Sequence, residues 1–261
     1  MRTNRWLVLL VFFTYSALGQ QTGTKDPTAM AIAQGSLTAM TSGGSAFAQD
    51  SQATGTLTMY FDQPVSSPVS LESKGLQETR ATTQQSNGTS IRIVNGGQGV
   101  LQKTNGSLLS VNPLNTQAEY VRYIPALSLL SQIQNPSVNV APVSSAGTNG
   151  TADDIISVSL SPSNDPAQAS IQSQTTWTQF CINHASGLVD EIEYNYYPED
   201  GSAQMDVQEL FSDYRSVGAF LVPFHRITYR DGNLESDLQL QTVAFNVGLP
   251  DSDFVLPQVQ Q

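Results

Sequence analysis

The chain has 261 residues, of which 39% are hydrophobic and only 13% charged. That composition excludes a charge-driven disordered chain and a long solvated helix laced with ion pairs. Its 22 Asp and Glu against 11 Lys and Arg leave a formal charge of −11, and a surface of that sign repels phosphate, which excludes nucleic acid as a partner.

In chain order, Arg2 and Arg5 precede an apolar run over residues 6–13, and Ala17-Leu18-Gly19 places small residues where a signal peptidase reads. Residues 1–19 are therefore expected to be an export signal, cleaved to leave Gln20 first. A membrane anchor is the alternative, but the run falls short of the about 20 residues a hydrocarbon core requires. Gln20 stands where lipid attachment would need a Cys, so the expected product is a soluble periplasmic protein and not a lipoprotein. Without the two leader arginines it is two charges more negative. The remainder, 20–261, reads as one domain, because neither half has enough strands to bury its own face.

Asp26-Pro27 predicts a capped helix start, and Ala29, Met30, Ile32, Ala33, Leu37 and Met40 recur at helical spacing, giving a helix over about 27–41. Strands follow at 56–61 and 69–74, separated by a turn at 64–68, and then at 91–94 and 99–102 around Asn95-Gly96-Gly97. A second helix is expected from a cap at Asn115 to Ile133, kinked or divided at Pro125. It carries Leu127, Leu129, Leu130 and Ile133, too apolar to be left in water. The Ser, Ala, Gly and Asn-rich segment over about 137–154 reads as a flexible loop. Beyond it, alternation predicts strands at 155–160, 175–182, 188–197, 205–211, 219–229 and 234–247. About ten strands at hairpin spacing imply a mainly β protein with minor α: one large, curved antiparallel sheet with helices on its concave face.

Little in the sequence carries chemistry. Cys181 is the only cysteine, in an alternating stretch where a buried, inert thiol is expected. His184 and His225 have no Cys or His neighbour at ligand spacing, so no metal site and no cofactor is implied; they read as a turn residue and a half-exposed strand residue. The Asn-X-Ser/Thr motifs at Asn87, Asn105 and Asn149 are each followed through Gly and read most simply as turns. Asp190, Glu191, Glu193, Asp206 and Glu209 supply carboxylates, but at solvent-facing strand positions that do not converge. No nucleophile elbow or phosphate loop appears, so an enzyme is disfavoured.

Phe211-Ser-Asp-Tyr-Arg215, Val217-Gly-Ala-Phe-Leu-Val-Pro-Phe224, Ile227-Thr-Tyr-Arg-Asp-Gly232 and Val243-Ala-Phe-Asn-Val-Gly-Leu-Pro-Asp-Ser-Asp-Phe254 with Pro257 form a distinctive tail. It resembles the closing hairpins of the bacterial outer-membrane lipoprotein carrier family, LolA-like. An Arg80-bearing strand leading to Asn95-Gly96-Gly97 resembles that family's N-terminal half, although Val100-Leu101 stands where the family has an aromatic residue. The resemblance implies an incomplete β-barrel whose helices close over an apolar cavity. It also implies a non-enzymatic periplasmic carrier or binding protein for a lipid, a lipoprotein acyl chain or another hydrophobic ligand, served by an envelope transport complex. On that reading Met59, Phe61, Leu127, Leu130 and Trp177 are candidate lining residues, and Arg80 is the family's strand arginine that bridges sheet and lid. An envelope structural or interaction module without a small ligand is the alternative.

Overall fold

A computed structural model describes residues 23–42, 48–75, 77–117, 122–143, 153–161 and 165–258. The expected export signal and the Asn149 motif lie outside them. Helix α1, Pro27–Met40, starts as its sequence dictates: the Asp26 carboxylate accepts from the backbone N–H of Thr28 and Ala29, both at 2.9 Å. Ala29, Ala33, Ser36 and Met40 form its buried stripe.

Thirteen strands form one antiparallel sheet: β1 Asp50–Tyr60, β2 Pro64–Lys74, β3 Glu78–Gln85, β4 Gly88–Asn95, β5 Gln98–Gln102, β6 Leu108–Ser110, β7 Val138–Pro142, β8 Asp153–Leu160, β9 Thr178–Asn183, β10 Val189–Tyr196, β11 Met205–Val217, β12 Phe220–Arg230 and β13 Asn233–Phe245. Their order is β6-β5-β4-β3-β2-β1-β13-β12-β11-β10-β9-β8-β7. Two meanders thus meet where the N-terminal β1 pairs with the C-terminal β13. The sheet is open, and its edges are protected. β6 is only three residues long, and along β7 the backbone N–H of Asp26 donates to the Val140 carbonyl at 2.9 Å while that of Val140 donates to Thr24 at 2.8 Å.

One face of the sheet is covered. α1 packs on β7, β8 and β12, and two 3-10 turns, Pro125–Leu127 and Leu129–Gln132, pack on β12 and β8. Their side chains join Phe180, Ile192, Phe220, Val222 and Leu238 in the main core. On β12 the residues of even number, from Phe220 to Arg230, share this inner face, and alternation sends His225 and Ile227 outward. The outer face is covered by a helix at Pro166–Thr175, whose Ser173 Oγ lies 3.3 Å from Ser159 Oγ on β8, and by a 3-10 turn at Asp251–Phe254 that packs on β3 and β4 and buries Phe254 completely. The tail reaches it through the buried Asp50, whose carboxylate accepts from the backbone N–H of Val247, Gly248 and Leu249 at 2.6, 3.0 and 3.1 Å.

Several expectations are corrected. No long kinked helix spans 115–133 among the described residues: there is one helical turn, α2 at Pro113–Thr116, then the two 3-10 turns. Pro125 starts the first 3-10 turn, and the Ser128 hydroxyl both donates to the Pro125 carbonyl and accepts from the Leu130 N–H, closing one turn and opening the next. Asn112, not Asn115, caps α2. The expected loop over 137–154 contains β7, and Asp153 already belongs to β8. The expected strand at 175–182 begins only at Thr178, because Pro166–Thr175 is a helix, α3, capped by Asp165. The turn expected at 64–68 is strand: pairing with β3 starts at Val69, so Pro68, which has no N–H, marks the end of that ladder.

Candidate functional site

The covering elements fill only part of the inner face. Towards the end that carries the β1–β2 and β12–β13 hairpins, the sheet and a roof that includes Val111, Asn115, Arg122 and Tyr123 enclose a cavity of about 490 Å³. Asn115 anchors this roof to the sheet. Its Nδ2 donates to the Tyr197 carbonyl at 2.7 Å and its Oδ1 accepts from the Tyr197 N–H at 2.8 Å. Tyr123 is a second anchor, its buried hydroxyl 3.0 Å from Ser51 Oγ, which is itself 2.6 Å from Ser73 Oγ. The second is a local consequence of two serines, Ser51 and Ser73, placed opposite each other on the inner face of β1 and β2.

The lining has two characters. Leu71, Ala81, Arg92, Leu101 and Leu109 form one cross-strand row from β2 to β6; with Met59 and Val111 they make an apolar wall interrupted by a single guanidinium. Facing it, β10, β11 and β12 contribute Tyr194, Tyr196, Glu209, Arg226 and Arg230. Glu209 is buried, a correction to its expected solvent-facing position. Its Oε1 accepts from the Tyr194 hydroxyl at 3.0 Å and from Arg226 Nη1 at 3.3 Å. The guanidinium of Arg122 lies 3.8 Å over the Tyr194 ring and that of Arg230 4.3 Å over the Tyr196 ring. Burial pushes the Tyr123 and Tyr196 phenols up to about 12, helped at Tyr196 by Glu199, and raises Tyr194 as well, so all three remain proton donors at neutral pH.

Of the residues singled out from the sequence, Met59 and Arg80 line this cavity. Arg80 does so only from the neighbouring row, whose side chains alternate to the other face of the sheet; there it stands opposite Glu72, with Nη1 3.6 Å from Glu72 Oε2. Leu127 and Leu130 lie in the packed core, with Leu130 fully buried. Phe61 is 75% exposed at the β1–β2 hairpin. Trp177 lines a second hollow, of about 450 Å³, together with Glu193, Asp206 and Gln208. There burial, then the neighbouring Glu191 and lastly Asp206, raise the Glu193 carboxyl to about 7. The sequence reading missed Arg92, Arg122, Arg226, Arg230 and the three tyrosines. One signal was available: Arg226 and Arg230 have the same parity on β12 as Phe220, Val222 and Phe224.

Other chemistry-bearing groups stay apart from the cavity. Cys181 is buried and its thiol is pushed up to about 12, first by burial and then by Glu191 and Glu193. On the outer face Ser212, His225 and Asp237 form a hydrogen-bonded row at 3.0 and 3.1 Å, but none of the three lines either hollow. Among the described residues no group of three His, Cys, Asp or Glu could hold a metal ion, and no helix is long and apolar enough to cross a membrane.

No family model and no curated protein matches the sequence. Solved structures do match the fold. A LolA superfamily protein from Nitrosomonas europaea superposes with a TM-score of 0.55 at 11% identity, covering 87% of this chain and 97% of that one. A DUF1329 family protein from Desulfovibrio piger gives 0.54 at 11%, covering 87% and 96%. A domain named for outer-membrane lipoprotein sorting, from Vibrio parahaemolyticus, gives 0.53 at 13%, covering 86% and 95%. At such identities the likeness speaks for architecture, and by its architecture, an open curved antiparallel sheet with a few helices, the chain is LolA-like.

Proposed function

We propose that the protein is a non-enzymatic carrier or binding protein of the cell envelope that holds a hydrophobic ligand in this cavity, on the inner face of its sheet. One observation carries this reading: the sheet is left uncovered over a cavity of about 490 Å³ whose wall includes Met59, Leu71, Leu101, Leu109 and Val111. That volume is in the range of small-molecule sites, and each methylene moved from water to such a wall contributes about 0.8 kcal/mol. The fold supports the same reading, since one structure that shares it is named for lipoprotein sorting.

The test is uptake of a fluorescent fatty acid by detergent-free protein, compared with an Ala81→Trp variant that fills the middle of the apolar row. Saturable binding that the substitution removes, with the circular dichroism spectrum unchanged, is the expected result; equal binding by both proteins would contradict the assignment of the cavity. The same reading places the protein in the periplasm after loss of residues 1–19, so the exported form should begin at or next to Gln20, and a membrane-bound form starting at Met1 would contradict it. An interaction module is the second reading, favoured by Phe61 and Val65, which are 75% and 50% exposed at one hairpin. A protein that takes up no amphiphile would shift the balance to it.

A further inference from the structure

The sequence has eight arginines and a net charge of −11, yet four of the eight, Arg92, Arg122, Arg226 and Arg230, line one cavity, and Arg80 borders it from the neighbouring row. Among the described residues three carboxylates, Glu72, Glu199 and Glu209, share it. The described lining is thus net positive inside a strongly acidic protein, a reversal of sign that concentrates anions at this one place. Two of these guanidiniums are also incompletely used: among the described residues the buried Nε atoms of Arg226 and Arg230 find no hydrogen-bond acceptor. A buried donor left without an acceptor is costly, so two of them in one cavity match an occupant rich in acceptors. Planar forked donors of this kind suit oxyanions in particular.

We infer that the ligand of this cavity is an amphiphile with an oxyanion headgroup, a phosphate or an equivalent acidic group, held by the arginines while its chain lies along the Leu71, Leu101 and Leu109 wall. This rests on the carrier reading above and specifies its ligand class. It also accounts for the mixed lining: an apolar wall alone would take a neutral hydrocarbon, and an arginine cluster alone would take a free oxyanion. Glu209 holds Arg226 in place from below, and its second oxygen, Oε2, is buried without a donor. A headgroup that also bears a hydroxyl would satisfy it.

The experiment compares three probes by calorimetric titration at low salt: dodecyl phosphate below its critical micelle concentration, dodecyl maltoside as a neutral chain, and inorganic phosphate. Dodecyl phosphate should bind at least about tenfold tighter than either of the others, the scale of one charged hydrogen bond. Arg92→Gln should remove about that factor for dodecyl phosphate and leave dodecyl maltoside unchanged. Arg215→Gln, at an arginine outside the cavity that pairs with Asp213, should change neither. Should the Arg92 variant unfold, the wild type still decides, because the preference for dodecyl phosphate over the maltoside should shrink as salt is raised. Equal, salt-insensitive binding of both chains overturns the anionic headgroup and leaves the carrier reading intact. Inorganic phosphate binding as tightly as dodecyl phosphate overturns the amphiphile in favour of a free-oxyanion site. Binding of none of the three overturns the carrier reading itself.

Discussion

Arg226 and Glu209 make a test of how the cavity floor is held. The Glu209 side chain is 4% exposed and that of Arg226 20%, so the two partners are unequally desolvated. In Arg226→Met the carboxylate stays buried with the Tyr194 hydroxyl as its single described donor, and stranding a buried charge in this way costs about 3–5 kcal/mol. In Glu209→Gln no charge is stranded in the interior: the amide oxygen still accepts from Tyr194 and Arg226, and the guanidinium keeps its access to the cavity. That substitution should cost about 1 kcal/mol, the worth of an ordinary hydrogen bond. For a domain of this size 1 kcal/mol is about 2–4 °C in Tm, so Arg226→Met should lower Tm by roughly 6–20 °C and Glu209→Gln by roughly 2–4 °C. The double variant Arg226→Met, Glu209→Gln should be more stable than Arg226→Met alone, because it removes the stranded carboxylate. Scanning calorimetry at pH 7 measures all three. Equal losses for the two single variants, or a double variant no better than Arg226→Met, would refute the reasoning and show that Glu209 is not held by Arg226. The same asymmetry is why Arg92, rather than Arg226, is the position at which to test binding.

Glu193 has a folded value near 7 against the ordinary 4.5. Its protonated form is therefore the one the fold favours, and this contribution is complete below about pH 4.5 and lost as the pH rises through about 7. Glu193→Gln should accordingly gain Tm over wild type at pH 8 and lose that advantage at pH 5; an advantage independent of pH would exclude the assignment. Asp50→Ala removes the acceptor of three backbone N–H groups and should cost about 2–3 kcal/mol in urea unfolding, whereas a change within a few tenths would mean that the tail is held by its 3-10 turn alone. Two glycines give opposite expectations. At the β1 bulge a Cβ on Gly55 would lie 2.3 Å from the Gln239 carbonyl oxygen, so Gly55→Ala should destabilise, while nothing stands within 4 Å of a Cβ on Gly35 in α1, and Gly35→Ala should stabilise by about 0.5–1 kcal/mol. Thermal melts of the pair check both signs together.

Local chemistry was enough to write α1 and most of the sheet from the sequence. Asp26-Pro27 sets a cap and a first turn whatever the surroundings, and alternating apolar residues bounded by Asn, Gly or Pro specify strands such as β12 and β13 because their period matches the pleat. The burial of Leu127, Leu129, Leu130 and Ile133 was equally legible, since four large apolar side chains have nowhere else to go. Their conformation was not, because 3-10 turns closed by Ser128 bury residues without a 3.6-residue period. Helix α3 escaped for the converse reason: it carries the same Asp-Pro signature at Asp165-Pro166, but only Ala169 and Thr175 are buried, too few to trace an apolar stripe. The cavity belongs to the tertiary structure. Arg92 joins it because register sets it between Ala81 and Leu101, and Arg226 because register sets it between Phe211 and Leu238. A shift of one residue in either pairing would turn those guanidiniums to the outer face. An arginine in an alternating strand looks outward until the sheet has chosen which face to cover, and that choice is made by α1 and the 3-10 turns, far away in sequence from the residues they leave exposed to a ligand.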